Sequence, residues 1–268
     1  MKNDTAYAIA DFIPDAAAYP DRWAELARAF RETEAAIGRA RLNTAYAAGE
    51  REKLDVFHPA GRATGLVVFV HGGYWLGFDR SFWSHFAAGL TALNWAVAIP
   101  SYPLAPDARV TEITRAIARA VETAAGLIPG PIVLTGHSAG GHLVARIGCH
   151  DVVLDADVRT RLLRIVPISP VADLRPLLET SMNKDLHLDQ AEAATESPVL
   201  HPPPDVPVTV WVGAEERPAF LDQARWLAEA WGAKHRIAPG RHHFDVIDEL
   251  SDPESPLVNE LIGKFRAQ

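Results

Sequence analysis

Only one cysteine, Cys149, occurs in 268 residues. An intrachain disulfide framework is therefore excluded, and a reducing compartment is expected. Runs of Lys or Arg are also missing. With 26 basic and 34 acidic residues the formal net charge is −8, which leaves no electrostatic footprint for nucleic acid or an anionic membrane. No stretch approaches the ~20 apolar residues of a membrane span. The start, MKNDTAYAIADFIPD, carries acidic residues where a secretion signal needs a basic region and an apolar core. Internal repeats, low-complexity tracts and Gly/Ser linkers are absent too. What is there is ordinary globular composition, 48% apolar and 22% charged, in a chain long enough to bury a substantial core. A soluble, cytoplasmic protein with a small-molecule partner is expected, with no nucleic acid or membrane partner. A homodimer is left open.

Hydrophobic patterning indicates an α/β fold. GLVVFVHGG (Gly65–Gly73), NWAVAIPSY (Asn94–Tyr102), PIVLTG (Pro131–Gly136), LLRIVPISP (Leu162–Pro170) and VPVTVWVGA (Val206–Ala214) are continuous apolar runs. Such runs suit strands buried on both faces of a parallel sheet. Between them lie helical patterns at Arg80–Leu93, Val110–Gly126, Gly140–Cys149 and Ala219–Trp231. Alternation of this kind implies right-handed βαβ units in one domain, residues 1–268. Ahead of them, Tyr19–Arg41 reads as helix, part of an N-terminal helical segment over about 13–41, and LDVFHP (Leu54–Pro59) alternates like a strand. Residues of about 175–204 interrupt the alternation and are too long for a tight connection. A cap-like helical excursion over the carboxyl ends of the strands, where open α/β sheets bind ligands, would suit them.

Four separated stretches carry chemistry. Gly136-His137-Ser138-Ala139-Gly140 matches G-x-S-x-G between a strand and a helix, where glycines permit a tight turn that lifts a serine hydroxyl off the sheet. HGGYW (His71–Trp75) follows another strand, and paired glycines let backbone N–H groups converge on a ligand. With the amide of Ala139, this loop could hold an oxyanion. GRHHFDVIDEL (Gly240–Leu250) offers His242 or His243 as a base, and AEERP offers Glu215 or Glu216 as its orienting acid. A structural turn serine and a solvated acidic turn are the plain alternatives. No histidine pair stands at metal-ligand spacing, so neither a metal nor another cofactor is expected.

Together, HGGYW, GHSAGGHL, VGAEERPAF and HHFDVIDEL resemble the α/β-hydrolase fold over about Leu54 to Leu250. More narrowly they resemble its kynurenine formamidase-like (arylformamidase) branch, near the hormone-sensitive-lipase-type esterases. The resemblance implies a mostly parallel central sheet with helices on both faces and a short helical cap insertion. It implies Ser138 as nucleophile and His243, which directly precedes Phe, as base. Gly72, Gly73 and Ala139 fall on the oxyanion positions. The family's acid is Asp in V-G-x-x-D-x-P-x-F. Here Glu216 occupies that position, one methylene longer.

The implied activity is cofactor-free acyl transfer through an acyl-enzyme, on a small aryl formamide such as N-formylkynurenine. A short-chain or aryl carboxylesterase is the alternative. A catalytically inactive hydrolase-fold binding protein is the reading from another class. Tyr74, Trp75, Tyr102 and Met182 are the candidates for an aromatic-lined substrate pocket.

Overall fold

The computed structural model describes residues 1–263. Eight strands form one sheet: β1 (Ala40–Ala45), β2 (Lys53–Phe57), β3 (Leu66–Val70), β4 (Ala96–Pro100), β5 (Ile132–His137), β6 (Leu162–Ile168), β7 (Thr209–Gly213) and β8 (Lys234–Ala238). Their spatial order is β1-β2-β4-β3-β5-β6-β7-β8. β2 runs antiparallel to both neighbours, and the strands from β4 to β8 are mutually parallel. Apolar runs build this sheet because successive side chains point to opposite faces and both faces are covered. In β3, Leu66, Val68 and Val70 enter one core while Val67 and Phe69 enter the other. Ala96 and Ala98 of β4 face the first core, Val97 and Ile99 the second.

Helices supply the two covers. In chain order they are α1 (Asp4–Tyr7), α2 (Tyr19–Ala36), α3 (Ala88–Thr91), α4 (Val110–Leu127), α5 (Ala139–Gly148), α6 (Ala156–Arg161), α7 (Asn183–Leu186), α8 (Gln190–Thr195), α9 (Pro218–Trp231) and α10 (Pro256–Ile262). Helix α4 places Val110, Ile113, Ile117 and Val121 at helical spacing on the first core. On the opposite face, Trp23 of α2 and Leu257, Val258 and Leu261 of α10 cover the second. Burying each such side chain contributes roughly 1.5–3 kcal/mol relative to leaving it exposed. Among the described residues no helix is long and apolar enough to cross a membrane.

Two expected helices are corrected. The one read over Tyr19–Arg41 stops at Ala36, because Gly38 takes φ 71° and turns the chain into β1. Arg80–Leu93 is not one helix either. The Asp79 carboxylate accepts from the Ser81 amide at 2.7 Å and starts a 3₁₀ turn over Arg80–Phe82. A second 3₁₀ turn, Ser84–Ala87, and the single turn of α3 follow, with Trp83, Phe86 and Leu90 all buried in the second core.

The excursion at 175–204 holds a 3₁₀ turn (Arg175–Glu179), α7, α8 and a second such turn (Pro198–Leu200). Its carboxylates tie it down sideways. Glu192 accepts from Arg109 Nε at 2.8 Å, and Glu196 accepts from Thr114 Oγ1 of α4 at 2.7 Å. Beside it lies the N-terminal stretch, held by bonds from Asn3 N to the Glu179 carbonyl at 3.2 Å and from the Ser181 amide to Asp4 Oδ1 at 2.6 Å.

Candidate active site

The turn from β5 to α5 is tightly constrained. Ser138 sits at φ 56°, ψ −115°, outside the regions that L-residues populate freely. Its glycine neighbours are required by contact. A Cβ on Gly136 would lie 2.4 Å from the Gly140 carbonyl oxygen, and one on Gly140 would lie 2.0 Å from that of Val70 in β3. Strand β5, strand β3 and helix α5 thus converge where only bare backbone fits. Ser138 stands at the N-terminal, positive end of α5, and its hydroxyl has no hydrogen-bond partner among the described residues.

Loops from the carboxyl ends of four other strands meet it. After β3, Gly73, Tyr74 and Trp75 take positive φ in succession, at 110°, 52° and 60°. Gly73 needs its freedom, since a Cβ there would meet the Gly77 carbonyl at 2.6 Å. Gly72 abuts the elbow, its added Cβ falling 3.1 Å from that of Ser138. None of the Gly72, Gly73 and Ala139 amides donates to another group among the described residues. After β7, Glu216 is buried while Glu215 is exposed. After β8, His243 Nδ1 donates to Glu216 Oε2 at 2.6 Å, which leaves Nε2 as the ring's proton acceptor. The second carboxylate oxygen of Glu216 accepts from the Ser169 hydroxyl, which follows β6.

His242 is engaged elsewhere. Its Nδ1 accepts from the Phe244 amide at 3.1 Å, so Nε2 carries the proton that reaches Tyr19 Oη at 3.2 Å. The His243 ring lies between those of His137 and Phe220, at centroid distances of 4.6 and 4.3 Å. His137 is buried with neither ring nitrogen paired among the described residues. Burial, reinforced by His243, holds its pKa well below the ordinary histidine value.

Ser138, His243, His137, Gly72 and Gly73 all line one cavity of about 940 Å³. Trp23, Phe78, Trp83 and Phe244 give it aromatic walls, joined by Tyr74 and Met182. The opposite wall is the N-terminal stretch, from Tyr7 to Pro20. The excursion expected over the strand ends contributes Met182 alone to that wall, because its acidic side chains anchor it over α4.

Trp75 and Tyr102, expected in the pocket, do not line it. Both are fully buried. Trp75 packs edge-on against His142 at 5.0 Å. Tyr102 stacks on His71 at 4.3 Å and donates its hydroxyl to the His71 carbonyl at 2.9 Å. Both therefore brace the glycine loop from behind.

His71 donates Nδ1–H to the Gly72 carbonyl at 2.7 Å, and its burial lowers its pKa to about 4. Three contributors escaped the reading of the sequence: Ser169, the unpaired state of His137, and the N-terminal wall. Ser169 does stand directly after an apolar run, in ISP, where a strand-end side chain can face a ligand. Among the described residues one grouping has metal-ligand proximity, Cys149, Asp151 and His201, and Arg146 already holds the Asp151 carboxylate at 2.9 and 3.0 Å.

A serine at a strained strand-to-helix bend, among carboxyl-end loops of a sheet in this order, defines a class. The chain belongs to the alpha/beta hydrolase fold family, whose model matches residues 67–234, and is kynurenine formamidase-like, a hydrolase acting on an amide or ester. It is 30% identical to the kynurenine formamidase of Drosophila melanogaster over 227 residues, 76% of this chain and 75% of that one. To the kynurenine formamidase of Salmo salar it is 29% identical over 255 residues, 87% and 86% of the two chains. A crystal structure from Silicibacter, of a protein provisionally named a thioesterase, shares 55% identity and a TM-score of 0.95, covering 97% of this chain and 99% of that one.

Proposed function

We propose that the protein is a serine hydrolase cleaving small aryl formamides, N-formylkynurenine among them, or aryl esters, through an acyl-enzyme. The observation that carries this reading is the 2.6 Å bond between His243 Nδ1 and the buried Glu216, made beside the positive-φ Ser138 in one cavity. Ser138 Oγ attacks the carbonyl carbon as His243 Nε2 takes its proton. Glu216 keeps the imidazole in the required tautomer and stabilises the imidazolium. The unengaged amides of Gly72, Gly73 and Ala139 receive the oxyanion, each worth roughly 10²–10³ in rate. His243 then protonates the departing aniline or phenol, and a water activated by the same nitrogen releases formate or the carboxylic acid. Free Ser138 is not yet bonded to His243, a contact that commonly closes only with substrate.

The aromatic walls favour an aryl group, since rings at 4.5–7 Å gain about 0.5–1.5 kcal/mol beyond their burial. A thioesterase reading, suggested by the 55% identical neighbour's name, would use the same atoms. Steady-state rates on N-formylkynurenine, phenyl acetate and a short acyl thioester, for wild type and Ser138→Ala, test the proposal. Turnover of the formamide by wild type and its loss in the variant are expected. Normal activity in Ser138→Ala would overturn the mechanism; an inert formamide beside an active phenyl acetate would narrow the reading to an aryl esterase, and an active thioester with both others inert would overturn the substrate class.

A further inference from the structure

Glu216 is a buried carboxylate with few partners. Its side chain has no exposure, and among the described residues no Lys or Arg pairs with it. His243 Nδ1 donates to one oxygen, and among the described residues the Ser169 hydroxyl is the one side-chain donor to the other. Ser169 is itself tightly held. It follows β6 fully buried, and its amide donates to the Trp211 carbonyl of β7 at 2.7 Å. Its φ of 46° lies in the left-handed region, which glycine takes freely and other residues rarely. The carbonyl of the residue before it, Ile168, accepts from the Ser138 amide at 2.9 Å. One dipeptide thus joins the nucleophile's backbone, the strand leading to the acid, and the acid's carboxylate. Ser169 does not line the cavity, so its link to the reaction runs through Glu216.

A buried serine that satisfies a carboxylate is most often a packing feature. Two observations favour more. The positive φ is kept at a residue where glycine would relieve it, and such outliers gather at functional sites. The acid is also one methylene longer than the motif's aspartate, with one more rotatable bond. Held by His243 alone, its carboxylate could swing about that bond. Resting on the hydrolase reading above, we propose that Ser169 is a positioning residue, whose hydroxyl holds the Glu216 carboxylate in line with His243 Nδ1 and so lets a glutamate serve as the acid. The hold matters most as His243 becomes an imidazolium, when the carboxylate has to stay opposite the new charge. Without the hydroxyl, the second oxygen is buried with no side-chain donor among the described residues, and the carboxylate turns away to find one.

The test compares Ser169→Ala with Ser169→Gly, on phenyl acetate and N-formylkynurenine, with urea midpoints alongside. Alanine deletes the hydroxyl and keeps the Cβ. Glycine deletes it and relaxes the backbone, which keeps a folded variant in hand. In both, kcat should fall about tenfold while KM stays within about twofold, because a hydrogen bond to a charged group is lost outside the cavity. A serine with a structural role alone would lower the midpoint and leave kcat as it was. In a Glu216→Gln background, Ser169→Ala should cost less than about a further twofold, since the charge it positions is already gone. Wild-type kcat in the folded variants, a raised KM with kcat unchanged, or a full tenfold loss in the Glu216→Gln background would each overturn the inference. Ser138→Ala separates the two readings. If it stays active, the hydrolase mechanism fails and this inference with it; if it is inert while both Ser169 variants turn over normally, this inference alone fails.

Discussion

Glu216 is where this chain departs from the aspartate of the motif it resembles, and its geometry makes the consequence of substitution calculable. One oxygen accepts from His243 Nδ1 at 2.6 Å and the other from Ser169, so both positions are fixed. Shortening the side chain by one carbon–carbon bond, about 1.5 Å, would stretch the first contact to about 4 Å, beyond hydrogen-bonding range. Glu216→Asp should therefore lower kcat/KM by roughly 10²-fold unless the loop moves to follow. Glu216→Gln keeps the shape and removes the charge. Its amide can present oxygen to His243, losing the imidazolium's stabilisation, or nitrogen, which forces the wrong tautomer. Either outcome should lower kcat/KM by about 10²–10⁴, equivalent to roughly 3–5 kcal/mol. The exposed Glu215→Gln is the control and should stay within about twofold of wild type. Phenyl acetate hydrolysis between pH 6 and 9, with circular dichroism to show that each variant folds, reads this out. Glu216→Gln within threefold of wild type, or Glu215→Gln falling as far, would refute the reasoning.

Further outcomes follow from packing and titration. Gly140→Ala drives a methyl to 2.0 Å from the Val70 carbonyl and should lower stability by upward of about 3 kcal/mol in urea unfolding; an unchanged midpoint would contradict the convergence at the elbow. Burial lowers the pKa of His71 to about 4 and of His142 to about 3. Both rings stay neutral in the fold but charge near pH 6.5 when unfolded, so their stabilisation is whole above pH 6.5 and declines below it. At pH 4.5 the combined loss should be about 5 kcal/mol, seen as a falling urea midpoint, whereas a flat profile would contradict their burial. Tyr74→Phe removes the 2.7 Å bond from its hydroxyl to the Tyr7 carbonyl, which ties the positive-φ turn to the N-terminal wall. It should lower kcat about tenfold with little change in KM, and an unchanged kcat would show that the turn holds itself.

Parts of this molecule were legible from residue pattern alone because they obey local rules. Val67 and Val68 had to face opposite sides of a strand, and a run with both faces apolar had to be covered twice. Likewise, the glycines flanking Ser138 marked a tight strand-to-helix turn, and the chain makes that turn between β5 and α5. Glu216 and His243 could be paired only by reference to a family pattern, since 27 residues separate them.

The cavity wall obeyed no local rule. Residues from Tyr7 to Phe12, ahead of the helical segment read over about 13–41, show neither helical nor alternating periodicity. They line the cavity because distant groups hold them, such as Gln223 Nε2 donating to Tyr7 Oη at 2.8 Å. Trp75 and Tyr102 misled for the converse reason. An aromatic letter beside a motif does not say on which side of the loop its ring falls, and here both rings fill the space behind it.

The central claim is that Ser138 is a nucleophile activated by His243. Incubating the folded protein with a fluorophosphonate and measuring intact and peptide mass tests it directly. The account predicts one phosphonyl group per chain, on Ser138, formed much more slowly in His243→Ala. A folded wild-type protein that takes up no adduct, or takes it up on another residue, would contradict it.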